Sequence, residues 1–278
     1  MGAETGAAPP VARVAEGRPM GLAHDCSVLF HRLRVRSFSR AGVVATVVQP
    51  LVFFVIFYCT FAAMLEHEGI DYGRFVTPTV IVQALMFVAI GSATELSADR
   101  TSGVFARLLT SPIDARAMWL AHLGVVALQG AVSTVILVAA GHLIGFRLEH
   151  GTAALGFLVL SVAFGVSLSL ATATIALRMR NQEALGAVLH LPYLPLLLLS
   201  TGFVKAEFFP GWLRPLVSAS PVSCVIDALR ALSSEELSWG AVLPGALWVL
   251  VMLAIYLRER RSPESKPVSA PHGQTGSD

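Results

Sequence analysis

The chain has 278 residues and a net charge of +2 at pH 7, with 55% hydrophobic and only 14% charged residues. A soluble domain carries about 25% charged residues, so this chain cannot hide its apolar surface from water. The composition excludes an ordinary soluble domain and predicts an all-α polytopic membrane protein.

The chain begins with a tail and an amphipathic helix. Residues 1–21 are rich in Gly, Ala and Pro and are expected to be disordered, because they offer little to bury. Residues 22–40 place Cys26, Leu29 and Leu33 on one helical stripe and three arginines on another. This pattern predicts a helix that lies in the inner headgroup layer of a membrane.

Six apolar runs follow, each long enough to cross a bilayer core of about 30 Å, which needs roughly 20 helical residues. Prolines interrupt the first run at Pro50 and the fifth run at Pro192 and Pro195, where they are expected to kink the helix. Small residues crowd the fourth run and predict close helix packing. The six predicted transmembrane helices are 41–65, 75–96, 118–145, 152–177, 184–204 and 239–257.

The distribution of Lys and Arg orients these spans. Fifteen of the 20 basic residues lie before the first span, after the last span or in alternate connections, and five lie on the other side. Because basic connections stay in the cytosol, both termini are predicted to be cytosolic and the number of spans even. We expect one transmembrane domain, residues 22–257, followed by a disordered cytosolic tail, residues 258–278.

A polar segment of 20 residues, 97–116, separates the second and third predicted spans. Its arginines make it too basic to cross a membrane, yet apolar residues recur inside it at helical spacing. The pattern predicts a short, half-apolar helix on the cytosolic side. The alternative is a basic surface turn that only obeys the positive-inside rule.

The outer segment 205–238 is too polar to span a membrane and too apolar for a free loop. Pro210 and Gly211 divide it, and Ser220 before Pro221 is typical of a helix N-terminus. We predict two short re-entrant helices that dip back toward the membrane before the last span. The apolar face of the second helix is predicted to contain Val222, Val225, Ile226, Leu229 and Leu232.

The sequence carries no recognisable motif for catalysis or nucleotide binding. It has no G-x-x-x-x-G-K-[ST] loop, no G-x-S-x-G and no H-E-x-x-H. Glu95 is the only carboxylate close to a span, and it lies at a cytosolic end, whereas ion-coupled carriers need a charged group near the midplane. If the protein transports a solute against a gradient, the energy must therefore enter from outside the bilayer. We also expect no metal site, because the cluster Glu66, His67 and Glu68 lacks a second ligand group at metal spacing.

Three stretches of the sequence carry a pattern that known proteins share. The first contains Glu95, Asp99-Arg100, Gly103, Arg107-Leu108-Leu109 and Ser111-Pro112. The second is IGFRLEHG, residues 144–151, and the third is FFPGWLRPLVSASPVSCVIDALRAL, which lies in the outer segment. Together they resemble the ABC type-2 permeases, the membrane subunits of ATP-driven exporters, and most closely the daunorubicin/doxorubicin-resistance type of bacteria. The residues between Asp99 and Gly103 depart from the pattern, because close relatives often carry Glu-Arg directly before the glycine.

The resemblance implies that separate subunits form the transport pathway and bind ATP. Two six-span subunits form the pathway in a bacterial cell membrane, and separate ATPase subunits bind ATP and Mg²⁺ below them. A coupling helix over residues 99–109 would fill an apolar groove on the ATPase, with Arg100 and Arg107 pairing with its acidic rim. Gly103 would allow close approach, and Pro112 would help to end the helix. The predicted ATPase-coupling residues are Glu95, Asp99, Arg100, Gly103, Val104, Phe105, Arg107, Leu108, Leu109 and Pro112.

The family resemblance also implies a hydrophobic or amphiphilic cargo, such as a drug, an antibiotic or a lipid. The uncharged spans favour such a cargo, which would pass between two identical or related copies. Polar or aromatic points on the apolar helices are the candidate path residues Gln49, Phe53, Phe54, Gln83, Phe87 and Thr201. The outer residues that the family pattern marks are Phe209, Pro210, Trp212, Pro221 and Arg230.

The sequence leaves two other functions open. One is an ion-coupled secondary carrier, which would need no ATPase. The other is a membrane-embedded, lipid-modifying enzyme, for which Glu95, Asp99 and Arg100 are the only candidate groups at one boundary. We expect no cofactor on this chain itself and no nucleic-acid partner.

Overall fold

The computed structural model describes residues 21–66, 71–103, 115–148, 151–179, 181–234 and 238–261, and these ranges contain helices and turns but no strand. A π-helix, Val44–Val48, and a 3₁₀ helix, Ala206–Phe208, supplement the α-helices. The α-helices are α1 (Leu22–Ser37), α2 (Arg40–Val43), α3 (Gln49–Glu66), α4 (Tyr72–Thr101), α5 (Ala115–Leu143), α6 (Gly151–Arg178), α7 (Gln182–His190), α8 (Tyr193–Leu198), α9 (Arg214–Ala219), α10 (Pro221–Ser233) and α11 (Trp239–Arg261).

Four helices in the described ranges, α4, α5, α6 and α11, are long and apolar enough to cross a membrane. They correspond to the second, third, fourth and sixth predicted spans. The first apolar run contributes a shorter apolar helix, Thr46–Ala62. The helical architecture agrees with a polytopic membrane protein, and the count of six spans stays a prediction.

Pro50 shapes the first apolar run. Proline has no N–H, so the carbonyl of Thr46, four residues earlier, loses its usual helical partner. The helix widens into the π-helix Val44–Val48 immediately before this point. The hydroxyl of Ser133 on α5 donates a 2.8 Å hydrogen bond to the Thr46 carbonyl. A neighbouring helix thus supplies the hydrogen bond that Pro50 removes, which membrane interiors require.

The fifth apolar run does not form one helix. It is split into α7 and α8 around Pro192, and the helix ends at Leu198 instead of continuing to residue 204. The prediction of one helix over 184–204 is therefore wrong, although proline does interrupt the run as expected. One buried face continues across the break, through Leu185, Leu189, Tyr193 and Leu197.

The centre of the helix packing is α4, which contacts α3, α5, α6, α7 and α10. Leu85 of α4 is fully buried, and a Cβ added to Gly130 of α5 or Gly165 of α6 would lie only 3.1 or 3.0 Å from its methyl group. The hydroxyls of Ser92 and Ser169 are 2.7 Å apart across α4 and α6. Small residues of the fourth run thus bring these helices close together, as predicted.

The apolar stripe of α1 is covered by protein. Leu29 is buried against Ala117 and Ala121 at the start of α5, with Phe30 beside them. A Cβ on Gly124 would lie 3.1 Å from the Phe30 ring. α5 thus offers a row of small residues to the stripe. That α1 lies in the inner headgroup layer stays a prediction.

Candidate functional site

Two carboxylates lie near the carboxyl-terminal end of α4, and α1 holds both of them. The hydroxyl of Ser37 donates a 2.9 Å hydrogen bond to Glu95 Oε2. The guanidinium of Arg36 forms an ion pair with the Asp99 carboxylate. The structure thus brings two predicted coupling residues, Glu95 and Asp99, to the end of α1. It adds two partners on α1 that the sequence pattern did not identify.

The end of α4 differs from the predicted coupling helix. The helix continues to Thr101, so Asp99 and Arg100 belong to the second-span helix and not to a separate helix over 99–109. Arg100 Nη1 donates a hydrogen bond to the carbonyl of Leu177 in the last turn of α6. An arginine near a helix C-terminus satisfies a carbonyl that has no helical partner. Arg100 therefore links α4 to α6, a contact that was not predicted.

Gly103 terminates α4 through its backbone conformation. Its φ angle is 72°, in the left-handed region that glycine adopts without steric cost. A Cβ on Gly103 would meet no described atom of this chain within 4 Å, so within the subunit the glycine is explained by its backbone conformation. Its close approach to the ATPase stays a prediction. The other predicted coupling residues lie outside the described ranges and remain predictions: Val104, Phe105, Arg107, Leu108, Leu109 and Pro112.

Aromatic side chains form a column where α3, α4 and α8 meet. Phe53, Phe57 and Phe61 follow one another at four-residue spacing on α3, with ring centroids 6.1 Å apart in each pair. Phe87 of α4 lies 6.2 Å from Phe53 and 4.8 Å from Tyr193 of α8. We call these five residues the aromatic column. It contains the predicted path residues Phe53 and Phe87. It adds Tyr193, which meets the same criterion, because it is a polar or aromatic residue in an apolar run.

Gln83 lies one turn from Phe87 on α4, and its side chain is near the Tyr193 hydroxyl. Gln83 is 1% exposed, and neither its Oε1 atom nor the Tyr193 hydroxyl has a hydrogen bond of normal geometry within the described ranges. Unpaired polar atoms are costly in an apolar interior, so this is the least satisfied point beside the column. Of the other predicted path residues, Phe54 is buried in the core, and Gln49 is half-buried next to the π-helix.

The outer segment contains both predicted short helices, α9 and α10. The hydroxyl of Ser220 accepts a 3.1 Å hydrogen bond from the Ser223 N–H, and Pro221 occupies the first helical position. Every predicted position on the apolar face of α10 is buried: Val222, Val225, Ile226, Leu229 and Leu232. The helix is confirmed, and its approach to a membrane stays a prediction.

Arg230 of α10 joins three segments that are distant in sequence. Its guanidinium donates 2.8 Å hydrogen bonds to the carbonyls of Thr201 and Gly202, in the turn after α8. It also donates two hydrogen bonds, of 3.2 and 3.0 Å, to the carbonyl of Phe75 on α4. Asp227 Oδ1 accepts a further bond at 3.2 Å, and the guanidinium carbon lies 3.7 Å from the centroid of the Phe75 ring. We call this group of residues the Arg230 network.

Thr201, a predicted path residue, belongs to the Arg230 network. Its hydroxyl donates a 2.9 Å hydrogen bond to Asp227 Oδ1, and its N–H donates a 3.1 Å bond to Ser223 Oγ. Burial lowers the pKa of the Arg230 guanidinium to about 10, while Asp227 acts in the opposite direction. Arg230 therefore remains positively charged at neutral pH.

The first half of the outer segment is held by its own contacts. Arg214 donates hydrogen bonds to the carbonyls of Phe209, at 2.9 Å, and Glu207, at 2.6 Å. Trp212 is 79% exposed, and Pro210 is exposed beside it. An exposed tryptophan suits a membrane interface, where one face of the ring is apolar and the N–H is hydrated.

Most of the chain matches a known protein family. The description "ABC-2 type transporter" matches residues 26–233, from the first turns of α1 to the end of α10. The chain belongs to the ABC-2 type transporter family. A domain of unknown function also matches residues 241–277. The carboxyl-terminal end of α4, the aromatic column and the Arg230 network all lie within the ABC-2 match.

Three relatives of the chain have names that describe a transport function. The doxorubicin resistance ABC transporter permease protein DrrB of Mycobacterium tuberculosis (strain CDC 1551 / Oshkosh) is 31% identical over 258 residues, 87% of each chain. The daunorubicin resistance ABC transporter permease protein DrrB1 of Streptomyces coeruleorubidus is 30% identical over 187 residues, 67% of this chain and 66% of the relative. The putative transport permease ycf38 of Porphyra purpurea is 24% identical over 243 residues, 82% and 84% of the two chains. The chain is a multi-pass membrane permease subunit of an ABC exporter, which is a transport component.

Proposed function

We propose that the chain exports a hydrophobic or amphiphilic cargo, such as a drug, an antibiotic or a lipid, across a bacterial cell membrane. Separate ABC ATPase subunits would supply the energy by binding ATP with Mg²⁺. Two relatives carry doxorubicin or daunorubicin resistance in their names, which supports such a cargo. The excess of Lys and Arg on one side supports cytosolic termini.

The contacts at the carboxyl-terminal end of α4 carry the proposal that the ATPase acts there. Five residues, which we call the coupling junction, tie α1, α4 and α6 together at this point: Arg36, Ser37, Glu95, Asp99 and Arg100. The chain then leaves α4 at Gly103 and enters the segment predicted to bind the ATPase. A displacement of that segment would act on three helices at once. Val104, Phe105, Leu108 and Leu109 would supply the apolar contact.

Replacing apolar contact residues tests this proposal. Phe105→Asp and Leu108→Asp should each lower the amount of ATPase that co-purifies with the tagged chain by about tenfold, because each buries a charge in an apolar groove. The matched control is Leu143→Asp, at an 87% exposed position at the other end of the following helix. Normal recovery of the ATPase with both test variants would contradict the proposal, provided that all three variants insert into the membrane.

We propose that a second copy of the chain, identical or related, completes the pathway beside the aromatic column. Apolar side chains on α3 and on α7–α8 support this, because they point away from the core of this subunit. The exposed set includes Val52, Val55, Ile56, Leu191, Leu194 and Leu198. Mass measurement of the purified complex in lipid nanodiscs should find two permease chains per complex, and a complex with one permease chain would contradict this part.

A further inference from the structure

The Arg230 network connects the outer end of α4 to a turn whose carbonyls have no backbone N–H partner among the described residues. The helix α8 ends at Leu198, so the carbonyls of Thr201 and Gly202 lie past a helix end and have no helical N–H. Both carbonyls accept 2.8 Å hydrogen bonds from Arg230. Thr79 of α4 donates a second hydrogen bond, of 2.9 Å, to the Gly202 carbonyl. The turn is therefore bonded to α4 and to α10 together.

Only an arginine can make this set of contacts. The guanidinium has five N–H donors in a fixed planar fork, whereas the lysine ammonium is a single compact charge. Here the fork reaches carbonyls on two segments, Phe75 on α4 and Thr201-Gly202 in the turn, and it also bonds Asp227. The contacts require both the shape and the charge of the group.

The helix that Arg230 contacts is also the helix that leads to the coupling junction. With 30 residues, α4 extends for about 45 Å. Phe75 and Thr79 lie near its first residue, and Glu95 and Asp99 lie near its last. The two ends of one helix thus carry the two densest polar contact groups of the site.

We propose that Arg230 is a positioning residue for transport. It makes α10 and the turn after α8 follow the movement of α4, so that a displacement produced by the ATPase at the coupling junction reaches the outer end of the subunit. This inference rests on the proposed function, because it requires that the ATPase acts on the carboxyl-terminal end of α4. In this role the outer segment transmits movement and does not need to contact the cargo.

A fluorescence experiment on the complex with its ATPase tests the inference without knowledge of the cargo. The three native cysteines are replaced, and a polarity-sensitive fluorophore is attached at Leu216→Cys, an exposed position on α9. The emission change is measured between the nucleotide-free state and the state trapped with ATP and vanadate. In Arg230→Gln, the change should shrink by about fivefold or more, while vanadate-sensitive ATP hydrolysis stays within about twofold of the unsubstituted complex.

Two further variants make the result decisive. Arg230→Lys should behave like Arg230→Gln, because the charge alone cannot hold the three carbonyls. Arg214→Gln removes the same charge from the same outer segment, but the hydrogen bonds of Arg214 stay within residues 207–214. Arg214→Gln should therefore keep the full emission change.

The outcomes separate the inference from the proposed function. An undiminished emission change in Arg230→Gln, or its rescue by Arg230→Lys, overturns the inference alone. If Arg230→Gln does not assemble, Thr201→Val provides the second test, because it removes only the 2.9 Å bond to Asp227 and should give an intermediate change. A full emission change in Thr201→Val would then overturn the inference. No ATP-dependent change in the unsubstituted complex overturns the proposed function together with the inference.

Discussion

Removal of the Ser133 hydroxyl should destabilise the subunit only while Pro50 is present. Ser133→Ala removes the side-chain donor to the Thr46 carbonyl, and both residues are buried in an apolar interior. A buried acceptor left unpaired costs about 1–3 kcal/mol, and hydrogen bonds between membrane helices average about 0.6 kcal/mol. We therefore expect a loss of about 1 kcal/mol in the free energy of unfolding.

The same substitution should be nearly neutral beside Pro50→Ala. Alanine restores the N–H that can bond the Thr46 carbonyl, so the Ser133 hydroxyl is no longer needed. Thermal unfolding of the detergent-solubilised chain would show a loss of about 2–4 °C for Ser133→Ala and little further loss in the double variant. A matched control is Ser161→Ala, whose buried hydroxyl bonds the carbonyl of Phe157 within its own helix. Equal losses for Ser133→Ala in the unsubstituted chain and in the Pro50→Ala variant would refute the reasoning.

Three further substitutions should each act at a single position. Gly103→Ala places a side chain at a φ of 72°, which should lower the free energy of unfolding by about 1–2 kcal/mol and reduce the amount of ATPase recovered with the chain. Gly103→Asn should have a smaller effect, and equal ATPase recovery with the two variants would contradict this. Gly73→Val places a Cβ into the carbonyl of Ile144 and should destabilise the subunit in thermal unfolding by about 1–3 kcal/mol, whereas Gly91→Val, with open space, should not. Phe87→Ala breaks ring contacts in the aromatic column, so uptake of the proposed amphiphilic cargo into vesicles, measured with doxorubicin as the test compound, should fall by about tenfold. Unchanged uptake would remove the column from the proposed path.

Local signals predicted much of the fold. The helix α10 follows from Ser220 before Pro221 and from the spacing of its apolar residues, because capping and helical periodicity act within a few residues. The long spans follow from run length alone. The interruption of regular helical hydrogen bonding at Pro50 was predictable, because proline always removes the same backbone donor.

Contacts between distant residues were not predictable. The partners of Arg230 come from α4 and from the turn after α8, and no periodic pattern links residues 75, 201 and 230. Arg36 and Asp99 are likewise paired only because α1 packs beside the end of α4. The sequence marked Arg230 and Asp99 as notable but could not show whether each residue faces another helix or a partner.

Helix ends were the least predictable local feature. The apolar pattern predicted one coupling helix over residues 99–109, but the backbone turns at Gly103, which adopts a φ of 72°. The fifth run contained enough apolar residues for a span, yet prolines at 192 and 195 limit how far a helix can continue. In both cases the backbone conformation of one or two residues determined where the helix ends, and the composition of the whole segment did not.

ATP-dependent transport by the reconstituted complex tests the central claim most directly. The chain and its partner ATPase are placed in proteoliposomes, and doxorubicin uptake into inside-out vesicles is followed with ATP and Mg²⁺, without ATP, or with a proton gradient alone. We predict uptake only when both subunits and ATP with Mg²⁺ are present. Uptake driven by a proton gradient in vesicles that contain this chain without the ATPase would contradict the account and identify an ion-coupled carrier.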